Sequence, residues 1–99
     1  MNNSEKKINN LRKEIDQIHK DIFNLILKRI TVTNKIFKLK KISKIKLTDK
    51  KRENELTTMF EKNKKINGNP PLQRAIQNIQ KIIIQENKKY LLRSKNAKI

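Results

Sequence analysis

Ninety-nine residues suit one domain, and a chain that is 34% hydrophobic with one glycine and two prolines does not read as strand-rich or membrane-spanning. The absence of cysteine excludes a disulfide frame, a thiol nucleophile and a thiolate metal site. The net charge of +17 raises nucleic acid as a partner. That charge, however, is mostly lysine scattered among asparagine and isoleucine, a pattern that A/T-rich codons explain without a partner.

The first predicted element is a helix from about Glu5 to Lys41. Apolar residues fall at Ile8, Leu11, Ile15, Ile18, Ile22, Leu25, Val32, Ile36 and Leu39, in steps of three and four. The one gap in this seam holds Arg29. A guanidinium there either snorkels out or pairs with a nearby carboxylate, or it points into a cavity that holds an anion. Lys40 follows three turns later on nearly the same face, about 16 Å along the axis. Arg12 lies about 25 Å before Arg29 and roughly a quarter-turn away. One helix cannot bring Arg12 and Arg29 to the same small molecule, whereas two antiparallel copies can. His19 stands beside the seam and reads as a partly solvated helix residue, since a lone histidine makes a poor metal site.

This helix should be about 50–60 Å long, against a radius of gyration of about 13 Å for a compact domain of this size. Its seam would stay exposed in a single copy, so an obligate homodimer is expected.

Ile42 to Leu47 reads as an extended basic connector. Thr48 or Asp49 then caps a second helix, with Arg52 and Glu53 in its first turn. Leu56, Met59 and Phe60 form its apolar edge, and it fades near Lys65. Asn67-Gly-Asn-Pro-Pro is the clearest break: Gly68 suits a C-cap, and Pro71 suits the first turn of the next helix. The third helix spans about Pro71 to Leu92, with a seam of Leu72, Ile76, Ile79, Ile83 and Tyr90. The expected fold is all-α: three helices with a long first helix, in an intertwined helical homodimer. Residues 1–99 form a single domain in this reading, with a core over about 5–92 and a basic tail over 93–99.

No catalytic triad, glycine-rich phosphate loop or metal cluster is visible. Cations and polar groups near helical seams suit a small dicarboxylate, held and electrostatically stabilised without a nucleophile. Arginine, the residue of choice for bidentate contacts, is restricted to Arg12, Arg29, Arg52, Arg74 and Arg93. Those positions therefore carry more information than the lysines.

The run Leu11-Arg-Lys-Glu-Ile-Asp-Gln-Ile, followed by Asp21-Ile-Phe-Asn-Leu-Ile-Leu-Lys-Arg29, resembles the opening of the all-helical, type II (AroQ-class) chorismate mutases. Lys40 falls at that family's next cation. Asp49-Lys-Lys-Arg52-Glu53 is similar to its D-x-x-R-E motif, and Ile82-Ile-Ile-Gln-Glu-Asn87 resembles its I-I-x-E-S run. The resemblance spans about residues 8 to 92. It implies an intertwined homodimer with shared active sites that rearranges chorismate to prephenate in Phe/Tyr biosynthesis, with no cofactor and no metal. It further implies that Arg29 of one protomer and Arg12 of the other clamp the two carboxylates. Lys40 would bond a carboxylate and the ether oxygen. Asp49, Arg52 and Glu53 would surround the substrate hydroxyl; on spacing alone the same trio is an N-cap and a helix ion pair.

The third helix departs from the family. Asn87 stands where serine is usual and still donates a hydrogen bond. Leu91 stands where a glutamine or glutamate contacts the ether oxygen, and leucine cannot donate. The protein is then a weakened or degenerate mutase, or Lys40 carries that contact alone, or the helix is shifted. His19 replaces a common aspartate. The same family includes isochorismate-pyruvate lyases, so elimination of pyruvate is an alternative. A basic nucleic-acid-binding module is the alternative from a different class. The N-terminus has no apolar signal region and the chain reads as cytoplasmic, with no membrane partner. It is too short to include a fused dehydratase or dehydrogenase.

Overall fold

The computed structural model describes residues 2–46 and 48–97. Among the described residues there are three α-helices, one short 3-10 helix and no strand: α1 (Asn3–Ile42), α2 (Lys50–Thr58), the 3-10 turn (Met59–Lys62) and α3 (Pro70–Ala97). The all-α expectation, with a long first helix, therefore holds. Leu47 at the end of the expected connector, residues 98–99 of the expected tail, and the side chain of Phe60 lie outside the described residues.

Each helix end has a local cause. Asn2 caps α1, its Oδ1 accepting from the Glu5 backbone N–H at 2.7 Å, and Glu5 sets a carboxylate against the positive end of the helix. At the other end Lys40 and Lys41 favour the negative pole. There Ile45 N–H donates to the Lys40 carbonyl at 2.8 Å and Lys44 N–H to the Lys41 carbonyl at 3.3 Å. With Lys44 at φ 57°, this is a Schellman motif whose left-handed position is filled by lysine instead of glycine. The connector thus opens with a tight turn, where the sequence suggested extended chain.

Asp49, not Thr48, caps α2. A turn closed by bonds from Ile66 and Asn67 N–H to the Asn63 carbonyl leads to Gly68, at φ 91°. Gly68 supplies the left-handed position of the next turn, which the Asn69 N–H closes by donating to the Ile66 carbonyl at 3.1 Å; it lies beyond the end of the 3-10 helix, so it is not a helix cap. Asn69 Oδ1 then accepts from Leu72 N–H at 3.3 Å and starts α3, with Pro70 and Pro71 in the first turn, where no N–H is missed. Helix α3 continues to Ala97, so residues 93–97 of the expected tail are helical.

The chain divides into two compact units, residues 1–33 and 34–99. The first consists of the N-terminal turns of α1. Its seam is bare: Ile8, Leu11, Ile15, Ile18 and Ile22 are 40–57% exposed, and Leu25 and Val32 are exposed as well. The second unit holds the last turns of α1, then α2, the 3-10 turn and α3. Among the described residues it buries Phe37, Ile84 and Leu91, joined by Thr57 and Asn87. Ile84, Asn87 and Leu91 recur at three and four residues and define the packed face of α3. Ile79 and Tyr90, expected on the seam, are exposed instead. The run Ile82-Ile83-Ile84 fits either phase of the helix, and the buried polar Asn87 belongs to the phase that hydrophobicity alone passes over.

Lys44 gives a direct test of the α1 terminus. A left-handed residue with a Cβ costs roughly 1 kcal/mol, which glycine avoids at some cost in unfolded-state entropy. Lys44→Gly should therefore raise unfolding stability by about 0.5–1 kcal/mol, read as a higher urea midpoint at constant m-value. A lower midpoint would contradict the motif.

Candidate active site

The residues singled out from the sequence divide between the two units. Arg12 and Arg29 belong to residues 1–33; Lys40, Asp49, Arg52, Glu53, Asn87 and Leu91 belong to residues 34–99. Arg12 is exposed. Arg29 is half-buried in the gap of the apolar seam, and loss of water around its guanidinium lowers its pKa from the ordinary arginine value. It remains a cation at any physiological pH. The Thr33 hydroxyl donates to its carbonyl at 2.7 Å.

In the second unit, Lys40 is half-buried in the last turn of α1. Asp49 adopts an extended backbone, and its Oδ1 accepts from Arg52 N–H at 3.0 Å. The Arg52 side chain is exposed and bonds Glu55 Oε2 at 3.1 Å within the same helix. That solvated pair contributes little to stability. Glu53, one position on, turns the other way. Its carboxylate pairs with the ammonium of Lys88 on α3, both side chains about 30% exposed. This bridge crosses between α2 and α3.

The bridge lies in a cleft of about 440 Å³. Helix α2 lines it with Glu53, Asn54 and Thr57. Helix α3 lines it with Lys81, Ile84, Gln85 and Lys88. Thr57 is buried, and its hydroxyl donates to the Asn54 carbonyl at 3.1 Å. Two cations against one carboxylate leave these walls net positive. Asn87 and Leu91, 6% and 3% exposed, sit in the packed face of α3.

A family model described as "Chorismate mutase type II" matches residues 11–91. The chain belongs to that family. No curated protein and no solved structure matches it significantly. The family region begins one residue before Arg12 and ends at Leu91, so every residue selected from the sequence falls within it. Among the described residues there is no group of acidic or histidine side chains placed to hold a metal ion, and no helix is long and apolar enough to cross a membrane.

Sequence reasoning selected Glu53 but missed its partner Lys88, together with Lys81, Gln85, Asn54 and Thr57. Lys81, Gln85 and Lys88 do form a helical stripe at steps of four and three. In a lysine-rich chain such a stripe does not stand out.

The capping role of Asp49 can be tested by substitution. Asparagine caps as well as aspartate does, while alanine cannot. Asp49→Ala should lose about 1 kcal/mol in urea unfolding, and Asp49→Asn should lose little. Equal losses would show that the carboxylate charge, and not the cap, carries the effect.

Proposed function

We propose that this protein is a chorismate mutase that acts as a homodimer, rearranging chorismate to prephenate in the cytoplasm for phenylalanine and tyrosine biosynthesis. One observation carries the reading. In a chain where lysine is the default cation, Arg12, Arg29 and Arg52 fall inside the matched family region. They do so at the spacings of the family's motifs, with Lys40, Asp49 and Glu53 at the accompanying positions. Residues 5–92 are the catalytic core in this reading.

The chemistry needs little covalent help. In the rearrangement a C–O bond of the enolpyruvyl ether breaks while a C–C bond forms. Electrons move around a six-membered ring and no proton is transferred. Catalysis then consists of holding the dianion in its compact conformer and stabilising charge that grows on the ether oxygen. Arg29 and Arg12 of the partner subunit clamp the two carboxylates, Lys40 donates to a carboxylate and to the ether oxygen, and Asp49, Arg52 and Glu53 surround the hydroxyl. No cofactor enters the reading.

Two features support the shared arrangement. The seam of α1 is exposed along residues 8–32 of the single chain, which suits cover by a second copy. Arg12 and Arg29 are also separated by about 25 Å of helix, too far for one chain to close around one small molecule. The buried, apolar Leu91 favours a weaker mutase unless some other side chain serves the ether oxygen.

Mixing tests the reading. Arg12→Ala and Arg29→Ala homodimers should each lose about 10²–10³ in kcat/KM, the usual effect of removing one partner of a desolvated charged contact. In a mixed dimer one site receives both substitutions and the other neither. Chorismate absorbance should then show recovery to about half of wild-type activity per heterodimer. Mixtures that stay inactive after demonstrated subunit exchange would contradict it.

A further inference from the structure

The position that departs most from the family is Leu91. It is 3% exposed in the packed face of α3 and presents no hydrogen-bond donor. Three residues earlier on the same helix stands Lys88, which lines the cleft and pairs with Glu53. Three residues separate the two by about 4.5 Å along the axis and about 60° around it. The flexible four-carbon stem of a lysine covers such an offset.

The ammonium carries three N–H donors, and the bond to Glu53 Oε1 uses one of them. Glu53 is itself one of the residues assigned to the substrate. A cation held against it offsets that carboxylate's negative charge. Lys81 adds a second positive charge to the same wall.

We infer that Lys88 is a substrate-contacting cation of this enzyme, donating to the bridging ether oxygen in place of the side chain at position 91. The inference rests on the mutase reading above and assigns that site a residue outside the family motifs. Glu53 positions the ammonium before substrate arrives. As the C–O bond lengthens, negative charge collects on the oxygen and the Lys88 N–H bond to it strengthens. Lys88 is an ammonium at the start and at the end, and no proton or electron passes through it. The donor lost at position 91 reappears one turn back along α3, with a full positive charge.

The test is steady-state kinetics on full-length dimer. Wild type is compared with Lys88→Met, Leu91→Gln and the double variant, and the thermal unfolding midpoint is recorded for each. Lys88→Met keeps the stem and removes the charge. It should lower kcat by about 10²–10³, the usual effect of losing one donor to a developing oxyanion, with KM changed less than about threefold because the contact strengthens in the transition state. Adding Leu91→Gln to Lys88→Met should return at least about tenfold in kcat, a larger gain than the same change gives in wild type.

An ion pair with only a structural role would move the unfolding midpoint and leave kcat of the folded protein at the wild-type value; that result overturns the inference. If Lys88→Met does not fold, Lys88→Gln takes its place, since an amide can still bond Glu53. A fall in kcat of about tenfold or more then supports the inference, and unchanged kcat overturns it. Wild type that neither consumes chorismate nor binds its oxabicyclic dicarboxylate transition-state analogue would remove the mutase reading itself, and Lys88's role with it. An active wild type with a fully active Lys88→Met removes Lys88 alone.

Discussion

A helix of forty residues with a long apolar edge, interrupted at Arg29, sets a requirement that one short chain does not meet. From Ile8 to Ile22 the edge is about half exposed. Completing the burial of each such isoleucine or leucine is worth on the order of 1 kcal/mol, a large sum for a protein whose total stability is about 5–15 kcal/mol. Everything proposed for this molecule depends on what covers that edge. A second copy is the simplest cover, because an identical helix brings an identical seam.

The same requirement links packing to chemistry. Arg29 occupies the seam's one gap, where partial burial already strips water from its guanidinium. In the proposed function this cation faces a carboxylate of the dianionic substrate. On this account an arginine that weakens the seam is tolerated because it builds the site. Residues 34–99 form a small packed unit, in which Asp49 caps α2 and the bridge from Glu53 to Lys88 ties α2 to α3.

Much of this was legible in the sequence. The apolar period, the Pro-Pro break and the Asp49 cap each have a local cause, and local causes survive folding. The ordered motifs from Leu11 to Asn87 point to the family by themselves, and the family match covers them. Other features were hidden for physical reasons. The left-handed Lys44 has no sequence mark, because the Schellman motif usually takes glycine. Gly68 looks like a cap in the sequence, yet it bends a turn closed between Ile66 and Asn69, and the Asn69 side chain is what caps α3. The phase of α3 was ambiguous because three consecutive isoleucines satisfy two faces. Lys88 was invisible among so many lysines until its contact with Glu53 singled it out.

The central claim is that the α1 seam is an interface between two copies and that the active site depends on it. Sedimentation equilibrium at micromolar concentration addresses this most directly. The account predicts a single species of twice the chain mass. A monomer that is fully folded, with cooperative unfolding independent of concentration, would contradict it, because a lone chain cannot bring Arg12 and Arg29 to one substrate.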